Sequence, residues 1–541
     1  MADRIWALPL KVSAPASERV RNNRALVVSW LAGFPRQIPV ALLVAAGYYL
    51  GTKIGFLLTP KQMPIATYWP SNAVLLASFL LTPYSMWWVI LLAVLPAHLL
   101  VQLPAGVPIA TACGWFVSNG AEALLGAACI RHFKKPEELF ETVPGVLVFL
   151  GFAVVFAPLA SSFVDAAVVV STGLGNGYWR LWTARLFSNM LAELTVAPTI
   201  ILLVLKWRSW VQRLTTSRVI EALLLAVGII GVSCAVFGNT SPTRPALMYS
   251  PLPLLVWIVV RFGVGGLYPS LLSIALISMW NVIRGRDPFI LAPMAQNILG
   301  IQIFLSTVAL PMMLLAAVLA ERRAVTESLR QSRRRLIDAQ EQERRRIARE
   351  LHDDIGQQLT LLQLELDQVR GQSAEPLKPL LDKLYRQASD ASDAARTISH
   401  KLHSVQLEFL GLVPALRNLC DTVRKEASVD VVFTEENVPT CIDPQLSLCL
   451  YRVTQEALHN VARHSHAHKV AIRLLGRGEW LSLYIADDGV GIAKERGHAV
   501  ALGLESMRER VVLVGGTFTL ASGPMSGTRI EATIPLKSPE S

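Results

Sequence analysis

The chain lacks any pair of cysteines at a metal-binding or redox spacing. Its six cysteines are Cys113, Cys129, Cys234, Cys420, Cys441 and Cys449, with no CxxC among them. Neither a zinc knuckle nor a disulfide framework is expected, and the thiols read as small apolar fillers. The sequence has no GxxxxGK[ST], which excludes a Walker phosphate loop, and its glycines lack the spacing of a dinucleotide-binding turn. Met1–Arg36 is basic, but it has no short apolar core followed by a small-residue cleavage site, so no cleaved signal peptide is expected. Charge is scarce: 17% of 541 residues, against 52% hydrophobic. The mean hydropathy of +0.42 is too high for an ordinary soluble protein and points to membrane spans. The net charge of +11 does not signal nucleic-acid binding. Much of the surplus sits in N-terminal and inter-helix segments, where it serves membrane orientation.

From about Gln37 to Ala320 the chain is nearly free of charge. An apolar run of about 20 residues crosses the hydrocarbon core as a helix. Ten runs are candidates: 37–57, 66–83, 85–103, 106–130, 143–171, 181–205, 219–238, 246–262, 264–283 and 294–320. Shortness of some leaves eight spans as an alternative. With ten, Met1–Arg36, "RHFKKPEE" (131–138), "KWRSWVQRLTTSR" (206–218) and everything after Glu321 share one side. The first three are basic, as is the stretch Arg322–Arg349 that opens the last, and the opposite loops carry few positive charges. The expectation is a multi-pass protein of a bacterial inner membrane with both termini cytoplasmic. Polar residues sit in or beside these runs: His98, Asn119, Glu122, Asp165, Arg185, Asn189, Glu193, Asn281 and Asp287. Ionisable groups at that depth are costly and line pockets or pair internally. Glu122, Glu193 and Arg185 read either as the wall of a stimulus-sensing cavity or as pairs that hold the bundle together.

Beyond Glu321 the composition becomes that of a charged, helix-rich soluble protein. Residues 321–351 have no glycine or proline and continue the last span as a helix. Apolar residues at Ile347, Leu351, Ile355, Leu359, Leu362, Leu366 and Val369 form a helical seam. "GQSAEP" (371–376) interrupts it. A second helix carries Leu377, Leu381, Leu384, Ala388, Ala391, Ala395, Ile398, Leu402 and Val405 at heptad spacing. One hairpin cannot bury both seams, so two chains are expected to pair as a four-helix bundle. His352 follows seam residue Leu351 and stands at the seam's edge beside Asp353. A neutral imidazole there is a nucleophile that phosphorylation would convert to a labile phosphoramidate. Taken alone, it reads more readily as a surface histidine in a charged helix.

Further on, "LSLCLYRVTQEALHNVARHSHAHKV" (446–470) has a helical period, with Glu456 and Asn460 four apart on one face. A carboxylate and an amide oxygen there suit Mg2+ and a triphosphate. Arg463 and His464 would face phosphate, which is preferred to a zinc site in this His-rich run because no cysteine lies in it. "WLSLYIADDGVGI" (480–492) reads as a strand ending in Asp-Asp-Gly-x-Gly. Asp487 would accept the exocyclic amine of adenine, and Gly489 and Gly491 let the backbone approach the base. A glycine turn at Gly503 and Leu504 then opens a helix, and a closing hairpin holds Thr528.

These segments resemble, in order, the N, G1 and G2 boxes and final strand pair of the GHKL ATPases. The interval from Gly491 to Gly503 corresponds to the ATP lid. "RRIARELHDDIGQQL" (345–359) resembles the phosphoacceptor box of the HisKA_3 class of sensor histidine kinases, and "LEFLGLVPAL" (407–416) is similar to that family's connector. "YWPSNAVLLASFLL" (68–81) resembles the Trp-Pro signature of the MASE1 membrane sensors. The combined layout is similar to hexose-phosphate-responsive sensor kinases, without giving the stimulus, which could be a small molecule or a protein. The resemblance implies His352 as phosphoacceptor, Asp353 as general base and Gln357 as the residue that positions water for dephosphorylating a NarL/FixJ-type response regulator. It likewise implies ATP and Mg2+ as cofactors, with the metal on Asn460, an active-site carboxylate at Glu456 and adenine at Asp487.

The expected architecture is multi-domain. A cytoplasmic segment (1–36) precedes an all-α polytopic membrane domain in the lipid bilayer (37–320). A signalling linker (321–343) follows, then a dimeric two-helix hairpin (344–406) and an α/β-sandwich ATP-binding domain (407–537). The protein is expected to be a homodimer.

Overall fold

The structure is a computed structural model. It describes residues 16–60, 66–212, 215–238, 247–286, 293–372, 377–402, 405–427, 429–492, 498–523 and 526–536. Asp287 lies outside them. The chain divides into two compact units, Met1–Glu327 and Ser328–Ser541.

The first unit is helical among its described residues. Its helices are α1 (Ala16–Leu57), α2 (Pro70–Leu81), α3 (Tyr84–Gln102), α4 (Ile109–Phe133), α5 (Val143–Ser171), α6 (Tyr178–Gln212), α7 (Thr216–Gly238), α8 (Leu252–Phe262), α9 (Val264–Ile283) and the start of α10 (Met294–Glu350). Each of the ten apolar runs holds one of them. Seven are long and apolar enough to cross a membrane. The exceptions have physical reasons. α2 has 12 residues and α8 has 11, so α2 reaches only about 18 Å against a hydrocarbon core of about 30 Å. α4 is long enough, but Glu122 and the Arg131–His132 end dilute its apolar character.

Proline and hydroxyl chemistry sets local boundaries. α2 starts with Pro70 in its first turn, and its C-cap Thr82 is extended before Pro83, as the residue ahead of a proline prefers. The Thr142 hydroxyl accepts from the Gly145 N–H at 3.1 Å and caps α5. The unit's interior holds Tyr48, Tyr68, Phe79, Phe140, Phe149, Phe237 and Tyr268, all fully buried. Leu42, Leu43, Leu223, Leu224 and Val227 point outward. An apolar exterior over a packed interior is what lipid solvation favours.

The second unit begins within α10. A wide π-helical turn, Leu351–Ile355, joins α10 to α11 (Gly356–Gln372), and α12 (Lys378–Leu402) packs against α11. Then come α13 (Val405–Leu410), α14 (Leu412–Ala427), β1 (Asp430–Glu436), α15 (Pro444–Asn460), β2 (Lys469–Arg477), β3 (Trp480–Asp487), α16 (His498–Leu513), β4 (Thr517–Ser522) and β5 (Thr528–Pro535). The strands form one sheet in the order β1-β2-β3-β5-β4. β1 and β2 run parallel and the other neighbours antiparallel.

Alternation explains how the sheet meets its helices. Val470, Ile472 and Leu474 on β2, and Ile530, Ala532 and Ile534 on β5, are buried in turn with more exposed neighbours. A sheet with one face on a core shows this pattern. Leu450, Val453 and Leu458 of α15 and Met507 and Val511 of α16 join the same core. The unit is therefore a helical hairpin followed by an α/β sandwich.

Candidate functional site

The C-terminal end of α15 and the ends of β3 and β5 meet at one place. Asp443 starts α15, its side chain accepting from Gln445 N–H at 2.7 Å. The helix runs to Asn460, then widens into a π-helical turn, Val461–Ser465, and stops at His466 with φ of 50°. Such wide turns recur at functional sites. Asn460 and His464 here line one cavity with Asp487, Gly491, Leu504 and Thr528. Six expected site residues, from four separate stretches of sequence, thus share a single wall.

The remaining expected residues divide. Glu456 stands one turn before Asn460 and lies so close to Gly503 that a Cβ there would collide with its carboxylate. That cradle explains the glycine and brings α16 against α15; Gly503 and Leu504 lie inside α16 and not in a turn that opens it. At the end of β3 the Asp487 Oδ1 accepts from Gly489 N–H at 2.9 Å, a local turn that aims the carboxylate. Gly491 has φ of 73°, and a Cβ on it would strike the Gly523 carbonyl. Arg463 is exposed and is not part of the cavity wall.

Several supporting residues carried no signal in the sequence. Ser522 Oγ accepts from Ile492 N–H at 2.8 Å and donates to the Gly527 carbonyl at 3.0 Å. It fixes the loop after β3 to the β4–β5 hairpin. Asp488, next to Asp487, accepts from the N–H groups of Lys469 and His468 at 2.9 and 2.8 Å. Those bonds, the Lys469 one first, hold its carboxyl below the usual carboxylate range. Asp488 therefore ties β3 to β2, while Asp487 is left to face the cavity.

Among the described residues, no group of three histidines, cysteines or carboxylates converges as metal ligands. The oxygens of Asn460 and Glu456 fit Mg2+ only with phosphate and water completing an octahedron, the usual manner of binding of that ion. The donor set and the glycine cradle fit Mg-ATP.

The segment around His352 is built differently. His352, Asp353 and Gln357 are all exposed on the α10–α11 helix. His352 lies inside the π-helical turn, where Gly356 N–H reaches back to the Leu351 carbonyl. One α-helical turn earlier, the Ala348 carbonyl accepts from Ser399 Oγ of α12 at 2.8 Å. This buried bond clasps the hairpin beside the histidine. Ala388 and Ala395 are buried in the hairpin, while Ile355, Leu362, Leu384 and Ile398 remain exposed.

A buried ion cluster also lies in this unit. Glu341 of α10 accepts on Oε1 from both Nε (3.0 Å) and Nη2 of Arg452 of α15, and its Oε2 lies 3.6 Å from Arg510 of α16. Arg452 also donates to the Leu402 carbonyl at 2.7 Å. Burial pulls the Arg510 guanidinium below its usual range, opposed by Glu341. A cavity of about 670 Å³ flanks the cluster and contains none of the expected nucleotide residues.

Comparison with known protein families gives three consecutive matches. The MASE1 family model covers residues 40–323, more than half of the chain. This chain belongs to the MASE1 family. In this MASE1 protein the histidine kinase model HisKA_3 matches residues 343–407. The ATPase model described as histidine kinase-, DNA gyrase B- and HSP90-like matches 446–538. The domain make-up is that of a membrane sensor histidine kinase. Sensor protein VraS of Staphylococcus epidermidis is 34% identical over 203 residues, 37% of this MASE1 chain and 57% of its own. VraS of Staphylococcus saprophyticus is 35% identical over 204 residues, 37% and 58%. The MASE1 chain thus spans under two thirds of the length of these relatives. A solved histidine kinase domain from the Erythrobacter litoralis EL346 blue-light activated histidine kinase aligns with 33% of this chain and 94% of its own. It does so at 18% identity and a TM-score of 0.22.

Proposed function

We propose that the protein is a membrane sensor histidine kinase. It autophosphorylates His352 from Mg-ATP and passes the phosphoryl group to an aspartate of a NarL/FixJ-type response regulator. The observation that carries this reading is the convergence of Asn460, His464, Asp487, Gly491, Leu504 and Thr528 on one cavity, in a chain that also exposes His352 beside Asp353.

An imidazole nitrogen of His352 attacks the γ-phosphorus of ATP. The N–P bond forms as the bond to the β–γ bridging oxygen breaks, and ADP leaves. Asp353 takes the ring proton. Asp487 orients adenine, and Glu456 and Asn460 hold the polar end of the site. Mg2+ supplies charge neutralisation for the triphosphate. Transfer to the regulator then breaks N–P and forms an acyl phosphate. Gln357 orients a water that hydrolyses that acyl phosphate when the kinase is silent.

Dimerisation is part of the proposal. Ile355, Leu362, Leu384 and Ile398 are 41–50% exposed in the single chain, and a second hairpin would cover them. The multi-pass membrane half would lie in a bacterial inner membrane with the kinase half cytoplasmic, consistent with its basic flanks.

The test uses the full chain in nanodiscs with ATP labelled at the γ-phosphate. The wild type is expected to acquire acid-labile label, and His352→Gln none. Label retained by His352→Gln refutes the assignment.

A further inference from the structure

The membrane unit buries a cluster of polar side chains on α2, α4, α5 and α6. Asn72, Asp165 and Asn189 are fully buried, Glu193 and Asn119 are 1% exposed, Glu122 is 2%, and Trp69 and Arg185 are 4%. Arg185 donates from Nε to Asp165 at 2.7 Å and from Nη2 to Asn119 at 2.8 Å. Its guanidinium lies 5.3 Å from the Trp69 ring. Asn189 Nδ2 donates to Glu122 Oε2 at 2.7 Å, and Ser161 donates to the same oxygen.

These bonds leave a lopsided remainder. Three carboxylates, Glu122, Asp165 and Glu193, share one guanidinium, and Arg185 is committed to Asp165. Glu122 Oε1, Asp165 Oδ1, Asn189 Oδ1, Glu193 Oε2 and Asn72 Oδ1 are buried oxygens with no hydrogen-bond donor, and the donors left unpaired on the same residues and Trp69 are Asn72 Nδ2 and Trp69 Nε1. The free Asn189 oxygen belongs to the amide whose nitrogen grips Glu122, so it lies beside that carboxylate. Asn72 lies next to Glu122, and Glu193, one helical turn after Asn189, is within its electrostatic reach. Each buried acceptor left unpaired costs about 1–3 kcal/mol, and more if charged. Five unpaired oxygens outnumber two unpaired donors, and three carboxylates outnumber one guanidinium, so the cluster is short of both donors and positive charge.

Water supplies donors but no charge. A bare metal ion supplies charge, but it needs ligands converging on one point, and no three carboxylates, histidines or cysteines do so among the described residues. A primary ammonium brings one positive charge and three N–H donors that reach separated oxygens. We propose that this cluster binds the ammonium group of a small primary amine, with Glu122 and Glu193 as its counter-charges and Asn189 as an acceptor. This rests on the sensor reading of the membrane half. The site would then be where that half meets its stimulus.

The experiment titrates the full-length chain in nanodiscs with methylammonium, tetramethylammonium or sodium chloride at matched ionic strength. Binding is read by calorimetry and by the thermal midpoint. It needs no kinase turnover, so its failure is distinct from failure of the kinase assignment. Methylammonium is expected to bind and raise the midpoint, while tetramethylammonium, which has no N–H, and sodium do not. Glu122→Gln is expected to weaken binding at least tenfold. Should that variant not fold, Asn189→Ser is expected to weaken it at least threefold. Absence of binding, an equal response to sodium or tetramethylammonium, or unchanged affinity in the folded variant overturns the proposal.

Discussion

Replacing Glu341 by glutamine keeps the side chain's shape and removes its charge. Two guanidiniums then face one carboxamide. The Glu341 and Arg452 side chains are 7% and 4% exposed, and Arg510 is 11% exposed, so solvent offers little compensation. Removing one partner of a buried pair typically costs about 3–5 kcal/mol. The carboxamide oxygen still accepts a hydrogen bond, which places Glu341→Gln near the low end, at about 3 kcal/mol. For a unit of this size each kcal/mol lowers the midpoint by about 2–4 °C. The soluble unit should therefore melt roughly 6–12 °C earlier in differential scanning calorimetry. Because the three groups lie on α10, α15 and α16, amide exchange should also accelerate around residues 334–345. A double-mutant cycle with Arg452→Met isolates the pair. A midpoint within about 2 °C of wild type, or strict additivity in the cycle, would refute the reasoning.

Other consequences are open to direct measurement. Gly503→Ala should weaken ATP binding at least tenfold, since the new methyl displaces Glu456; nucleotide titration with a fluorescent analogue checks it, and unchanged affinity counts against the cradle. Gln357→Ala should retain autophosphorylation and lose most dephosphorylation of the phosphorylated regulator, measured by regulator-phosphate decay. Burial pushes the Cys449 thiol up to about 12 from a usual value of 9.0. Above about pH 9 the unfolded chain releases this proton first, so the stability held at lower pH is lost as pH climbs toward 12. Cys449→Ala should flatten the alkaline part of the stability–pH curve, and an unchanged slope would show that the thiol does not titrate there.

The parts legible in the sequence are those whose chemistry is local. Glu456 and Asn460 lie one turn apart, and Asp487, Gly489 and Gly491 sit on one strand end, so spacing alone reveals them. The alternation of Val470, Ile472 and Leu474 likewise announces a one-sided strand. Long-range pairings leave no such trace. Glu341 and Arg452 are 111 residues apart, and each reads as one more charge on a charged helix. The buried polar residues of the membrane half were visible as anomalies, but the hydroxyls that bond them, Tyr48 with His98 and Asn119 and Ser161 with Glu122, were not, because hydroxyls are unremarkable in apolar helices. Arg463 shows the opposite limit: helical phase next to Asn460 suggested phosphate, yet the widened turn leaves it outside the cavity wall. Composition does not encode where a helix takes in an extra residue.

That extra residue at Leu351–Ile355 changes what the interval between His352 and Gln357 means. In an α-helix each residue turns about 100°, so positions five apart diverge by about 140° around the axis. A turn closed by bonds from i to i+5, as Gly356 makes to Leu351, stacks residues five apart nearly above one another. The histidine and the glutamine are thereby carried round toward a common side, where one docked aspartyl phosphate could meet either. Deleting Leu351, which lies outside the His352–Gln357 interval, would let the turn close into ordinary α-helix with the two residues still five apart and about 140° out of phase. The two proposed activities would then separate by geometry instead of by chemistry.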